Sequence, residues 1–399
     1  MAIEFKRLVY DRQYYLTHLE TMNEDLMMCD EIGNDCFSEC DNLSEIIIPN
    51  SITKIGDGCF YRCTNLTSII IPSSVKEIGD ACFSGCKHLF EIEIPNSVTK
   101  IGEYCFYECI NLTGIEIPNL VMDDNSYRSE GLTKIADGCF SECENLSKID
   151  IPNSVSKIGD ECFRGCCDLS KIIIPNSVTK IGAECFSECD NLSKIIIPSS
   201  ITRINKYCFK RCYDLLSIII PSSVKEIAND CFKSCNLLEI IIPSLVKELS
   251  DRCFYKCCNL TKIDIPNSVT KIGDECFYRC TSLRKIDIPN SVTRIGNRCF
   301  KKCANLSKIE IPTSVTKISN GCFHKCLKLI EITIPNSVTK LGNNCFYKCK
   351  NLPEVEIPTS VKEIGNYCFY GCRNLFEITI PYSVTKIGNG CFDNRPSSN

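Results

Sequence analysis

Histidine is nearly absent from this chain of 399 residues: His18, His88 and His324 are the whole complement. Zinc takes four ligands, commonly drawn from cysteine and histidine pairs, so this supply does not support a metal in every turn of a long array, and no cofactor is expected. Excess positive charge is also lacking. The formal net charge is −4, which gives no general attraction to a phosphate backbone, so a nucleic-acid partner is not expected. No stretch has the apolar run needed to span a bilayer, and the start MAIEFKRLVYDRQYYLTHLE has neither the basic opening nor the apolar core of a secretory leader. The expectation is a soluble chain without membrane insertion, cytoplasmic or otherwise intracellular, with the cell surface by unconventional export as the alternative. Glycine loops for phosphate, a nucleophile elbow and a convergent histidine–carboxylate set are missing too, so no catalytic residue is assigned and the chain is not expected to be an enzyme.

What is present is a repeat. Prolines recur at Pro49, Pro72 and Pro95, and later at Pro266, Pro289, Pro312 and Pro335, in steps of one unit length. Two steps differ: the one from Pro118 to Pro152 holds an insertion, and the one from Pro221 to Pro243 is a residue short. The consensus L-x-x-I-x-I-P-x-S-V-x-x-I-G-x-x-C-F-x-x-C is seen in Leu283, Ile286, Ile288, Pro289, Val292, Ile295, Gly296, Cys299, Phe300 and Cys303. Its segment L-x-x-I-x-I alternates as a half-buried strand does, and proline has no N–H for a ladder, so one short strand per repeat should stop there. Gly33, Gly56 and their equivalents share a position with Asn205 and Ser250, residue types found at helix N-caps, and this predicts a single helical or 3-10 turn around the cysteines. A lone repeat cannot bury its apolar face, so the copies must stack with their strands in parallel.

The chain is expected to divide into a partly helical N-terminal cap over residues 1–28, an array of about fifteen and a half repeats over residues 29–392 with an insertion loop within 119–131, and a polar tail over residues 393–399. The cap is read from Leu8, Tyr15, Leu19, Met22 and Leu26, which recur at helical steps. The array stops mid-repeat at Phe392, and that open end is a candidate surface for self-association.

The pattern I-P-x-S-V-x-x-I-G-x-x-C-F-x-x-C-x-x-L resembles the BspA-like leucine-rich repeat family over nearly the whole chain. The resemblance implies a right-handed solenoid of α/β type with one parallel β-sheet on the concave face and short helical or 3-10 turns on the convex side. For the better-known members it also implies adhesion at the cell surface, and it carries over no catalytic residue. The sequence departs from the usual pattern by placing cysteine where alanine commonly precedes the phenylalanine.

The 34 cysteines fall mostly in two rows, as in Cys59 and Cys63 or Cys276 and Cys280, beside a phenylalanine row that includes Phe60 and Phe277. Cysteine as a small buried hydrophobe is the favoured reading, with disulfides along the rows or bound metal as the alternatives. Cys167 and Cys258 fall outside the rows. On the strands, the middle residue of I-x-I should point outward. That row and its neighbour give the candidate partner-binding residues: Lys148, Asp150, Lys171, Ile173, Lys194, Ile196, Ile219 and Ile241, followed by Asp264, Lys285, Asp287, Lys308 and Glu310. Exposed isoleucines rimmed by charge suggest a non-catalytic scaffold that binds a protein ligand through the concave face. A surface adhesin and a redox- or metal-responsive cysteine array are the alternatives.

Overall fold

The computed structural model describes residues 30–117 and 131–392. The expected N-terminal cap, nearly all of the insertion loop and the polar tail therefore lie outside the described residues. The chain forms two compact units, Met1–Ile201 and Thr202–Asn399, each built from the same coil.

In the first unit, Ser68–Ile70, Glu91–Glu93, Gly114–Glu116 and Lys148–Asp150 form one parallel sheet, and Lys171–Ile173 pairs with Lys194–Ile196. In the second, Glu239–Ile241 pairs with Lys262–Asp264, Lys308–Glu310 with Glu331–Thr333, and Glu354–Glu356 with Glu377–Thr379. The register advances by one repeat per strand, as in Ile172 opposite Ile195 or Ile240 opposite Ile263. These three-residue strands show the expected alternation, since Ile172 is buried while Lys171 and Ile173 face out.

The single strand per repeat is a reading the structure corrects. A second row of two-residue parallel strands runs through both units, as in Lys134–Ile135, Lys157–Ile158 and Lys180–Ile181, or Glu248–Leu249, Lys271–Ile272 and Arg294–Ile295. It is formed by the V-x-x-I segment and ends where the chain bends at the following glycine. Its two residues are too few to carry a visible alternation.

The helical or 3-10 turns expected on the far side are corrected as well: among the described residues there is no helix. The segment around the cysteines is a chain of tight turns, with Tyr61 N–H on the Gly58 carbonyl at 2.9 Å and Cys63 N–H on the Phe60 carbonyl at 3.1 Å. A helix needs consecutive right-handed residues. Here a left-handed residue precedes each described cysteine of the two rows, as at Gly58 (φ 58°) and Arg62 (φ 54°), or Glu275 (φ 56°) and Arg279 (φ 60°). Each turn therefore closes before it can propagate, and its free amides bond to the next coil, as Phe60 N–H does to the Cys82 carbonyl at 2.8 Å.

The N-cap reading of the glycine position fails for the same reason. A Cβ on Gly79 would lie 2.5 Å from the backbone nitrogen of Asp57, so glycine is there to let neighbouring coils approach. The residue after it has its own role. Asp57 Oδ1 accepts the Asp80 N–H at 2.9 Å, and Asp80 Oδ1 accepts the Glu103 N–H at 2.8 Å. In the second unit the same ladder runs Asp251, Asp274, Asn297, Asn320.

Between the strand rows and the turns lies a phenylalanine spine. Phe60 and Phe83 stack with centroids 5.3 Å apart in the first unit, and Phe277 and Phe300 do so at 5.4 Å in the second. Both pairs are fully buried, and each ring replaces water on its faces with its neighbours above and below.

Candidate protein-binding face

Most candidate residues read from the sequence lie on the three-residue strands, whereas Ile219 and Lys285 sit at isolated bridges and Asp287 lies outside any strand. In the first unit Ile173 and Ile196 stand opposite one another in register, 55% and 51% exposed, with Lys171 opposite Lys194 beside them. Lys148 is held by Asp150 of its own strand at 3.4 Å. In the second unit Ile219 and Ile241 are 84% and 69% exposed. Acidic partners reappear farther along: Lys262 meets Asp264 at 3.3 Å, Lys285 meets Asp287 at 2.8 Å, and Lys308 meets Glu310 at 3.6 Å and Glu331 at 2.7 Å. The bond to Glu331, ahead of the other carboxylates, raises the Lys308 ammonium above its ordinary range.

The face thus has two kinds of surface. Where the strand reads Lys-Ile-Asp or Lys-Ile-Glu, each lysine is compensated two residues along. Where it reads Lys-Ile-Ile, the carboxylate is replaced by an exposed isoleucine. Such positions gain from burial against a partner, because an exposed isoleucine leaves apolar area in water that a closed interface removes.

One contribution escaped the sequence reading. Leu216 and Leu238 are exposed on neighbouring coils, tied by a hydrogen bond from Leu238 N–H to the Leu216 carbonyl at 2.9 Å. They widen the apolar surface of Ile219 and Ile241 into a patch. The signal was a second leucine after the ladder leucine, at Leu215–Leu216 and Leu237–Leu238. In the first unit Ile47 and Ile70 form another exposed bridged pair.

The cysteine rows are interior. Cys59, Phe60, Cys63, Cys276, Phe277 and Cys280 are all fully buried. The second row does more than fill space: the Cys63 thiol donates to the Phe37 carbonyl at 2.9 Å and the Cys280 thiol to the Phe254 carbonyl at 3.2 Å. Burial pushes these thiols up, Cys86 to about 12 and Cys59 well above its ordinary value. The thiolate is the nucleophile and the metal ligand, and burial disfavours it in both rows. Among the described residues two cysteines lie outside the rows, Cys258 exposed and Cys167 half-buried. Burial, followed by Asp190 and Glu144, raises the Cys167 thiol to about 11.

A family model described as the BspA type leucine rich repeat region matches residues 30–132, 133–260, 247–350 and 316–399. The chain belongs to the BspA-type leucine-rich repeat family. A crystal structure of a leucine-rich repeat protein from Bacteroides ovatus is 28% identical over 88% of this chain and 86% of that chain, with a TM-score of 0.62. A leucine rich cell surface protein from Faecalibacterium prausnitzii is 27% identical over 90% of this chain and 83% of that chain, with a TM-score of 0.43. No curated protein matches. The fold of this BspA-type chain is thus similar to that of the Bacteroides leucine-rich repeat protein. Among the described residues, no helix is long and apolar enough to cross a membrane.

Proposed function

We propose that this BspA-type repeat protein is a non-catalytic scaffold that binds a protein partner through the outward face of its three-residue strands. The observation that carries the reading is the placement of exposed isoleucines, Ile173 with Ile196 and Ile219 with Ile241, on a hydrogen-bonded surface edged by lysines and ion-paired strands. A rigid β surface loses little conformational freedom on binding, so more of the burial energy appears as affinity. The remaining candidates, Lys148, Asp150, Asp264, Lys285, Asp287, Lys308 and Glu310, would form the polar rim that fixes register and orientation.

The test uses affinity capture from native cells followed by titration of the captured partner. Ile173→Lys with Ile196→Lys, and separately Ile219→Lys with Ile241→Lys, should weaken binding by about tenfold or more per central isoleucine, since a hot-spot truncation costs about 2 kcal/mol. Circular dichroism should be unchanged, because these side chains point away from the core. A partner whose affinity survives both double substitutions would remove this face from consideration.

We further read the cysteines as reduced in the working protein, which favours an intracellular scaffold over a surface adhesin. Support comes from the second-row thiols, whose contacts to phenylalanine carbonyls require an S–H donor. Thiol trapping followed by mass spectrometry of protein from its native cells distinguishes the two: free thiols fit the scaffold, and oxidised rows with glycans on the N-x-S/T sequons at Asn42 or Asn65 would fit the adhesin.

A further inference from the structure

The turns opposite the long strands carry charge of opposite sign in the two units. Met1–Ile201 holds 16 Lys and Arg against 32 Asp and Glu, whereas Thr202–Asn399 holds 29 against 17. The chain's net −4 is therefore a small difference between a strongly acidic half and a strongly basic half.

The segregation is sharpest at the left-handed residue before each second-row cysteine. In the first unit this position holds Glu39, Glu108, Glu142 and Glu188, with Arg62 the lone cation. In the second it holds Arg211, Lys256, Arg279, Lys302, Lys325 and Lys348, and no acid. The backbone sets the same pitch for both series. Glu108 N–H bonds to the Ser141 carbonyl one coil on at 3.0 Å, and Lys302 N–H bonds to the His324 carbonyl one coil on at 2.8 Å.

The acidic series is only partly compensated within its own unit. Arg62 meets Glu39 at 3.8 Å, and Arg164 bridges Glu142 at 2.9 Å and Glu188 at 3.5 Å. Glu108 of this series meets no cation among the described residues, nor do Asp35 and Glu184, which precede first-row cysteines. Lys256, Lys302, Lys325 and Lys348 meet no carboxylate among the described residues. Three of them lie beside tyrosine rings, Lys256 at 5.6 Å from Tyr255, Lys302 at 5.7 Å from Tyr278 and Lys348 at 5.2 Å from Tyr347. Their field is felt at His324, whose imidazolium is disfavoured first by burial and then by Lys301, Lys325, Lys302 and Lys348.

We propose that the basic turn face of the second unit docks on the acidic turn face of the first unit of another copy of this chain. Like coils stacked at one pitch bring opposite charges opposite each other repeatedly, a match that an unrelated polyanion with its own repeat distance does not share. Single-stranded nucleic acid is disfavoured by the aromatic side chains. Tyr255 stacks on Tyr278 at 4.6 Å, and His324, Tyr347 and Tyr370 stack in series, which covers ring faces that bases would otherwise use. The contact is heterologous, since it joins different surfaces of identical chains, and it builds rings or filaments according to its rotation.

Sedimentation velocity on the full chain tests this. At low ionic strength the mass should rise with protein concentration above the 44.9 kDa monomer. In about 0.5 M salt, where the screening length falls to a few ångströms, it should return to the monomer. Reversal of the basic ladder (Lys302→Glu, Lys325→Glu, Lys348→Glu) or of the acidic one (Glu39→Lys, Glu108→Lys, Glu188→Lys) should abolish association, and mixing the two variants should restore it. Lys302→Gln, Lys325→Gln, Lys348→Gln gives a milder version of the first reversal should circular dichroism show misfolding. Reversal elsewhere in the second unit (Lys225→Glu, Lys247→Glu, Lys317→Glu) should leave association within twofold of the parent chain. A parent chain that stays monomeric at low salt overturns the proposal, and so does one that stays monomeric while its basic face binds heparin or polyphosphate. Equal loss in the control variant would also overturn it, because net charge rather than this face would then be responsible.

Discussion

Replacing cysteine by serine should have different consequences in the two rows, and the difference measures what the thiols contribute. Cys276 and Cys280 are both fully buried, and sit four residues apart in one coil. The Cys280 thiol donates to the Phe254 carbonyl at 3.2 Å, whereas no such acceptor faces the Cys276 thiol among the described residues. Cys280→Ser keeps a donor aimed at that carbonyl and loses only the bulk of sulfur, a cost of about 1 kcal/mol. Cys276→Ser loses the same bulk, and although the Phe254 and Cys253 amides face that position, its hydroxyl proton meets no such carbonyl, which adds about 1–3 kcal/mol. The first-row variant should therefore be the less stable by about 1–3 kcal/mol, roughly a fivefold to hundredfold change in the unfolding equilibrium. Urea unfolding followed by circular dichroism gives the total, and hydrogen exchange of peptides spanning the coil confirms that the loss is local. If the two serine variants agree within about 0.3 kcal/mol, the usual limit of additivity, the thiol–carbonyl contact contributes nothing and the rows are simply packing.

The remaining expectations concern a titrating ring and a strained turn. His324 is held at about 4 against an ordinary 6.5, by burial and by the surrounding lysines. The unfolded chain then binds its proton first, so stability should fall as pH drops from about 6.5 toward 4, with no effect above that window. Because the ring is only half-buried, the loss should be about 1 kcal/mol. His324→Gln should flatten this part of the pH profile, and an unchanged slope would refute the assignment. Ala81 occupies a left-handed position with φ 50°, where an L-residue pays about 1–2 kcal/mol that glycine avoids, against glycine's own entropic cost of about 0.5–1 kcal/mol. Ala81→Gly should therefore stabilise the first unit by about 0.5 kcal/mol in urea titration, and a destabilisation would show that the turn is not strained.

The strand alternation was legible because Ile-x-Ile and its proline recur at one interval, and the outward row of Ile173, Ile196, Ile219 and Ile241 follows from period two alone. The turns were misread because residue preference at one position, with Asn205 and Ser250 beside the glycines, cannot tell a helix cap from a close approach of two coils. Glu275 and Arg279 gave no warning that they adopt left-handed angles, since neither residue type favours them. The asparagine and aspartate ladder was visible as recurrence at Asp251, Asp274, Asn297 and Asn320, but its purpose needs the amide of the next coil.

The amino-acid sequence by itself determined the repeat, its parallel strands, the buried phenylalanine spine and the isoleucines left facing out. Periodicity encodes which side of a strand each residue takes, and no distant contact is needed to read it. Only the tertiary structure decided what equivalent residues do to one another. The thiol on a carbonyl, the carboxylate on an amide, the left-handed turns and the lysines left without counter-charge all depend on atoms one coil away, and a hydrogen bond or ion pair exists only at the separation that stacking imposes.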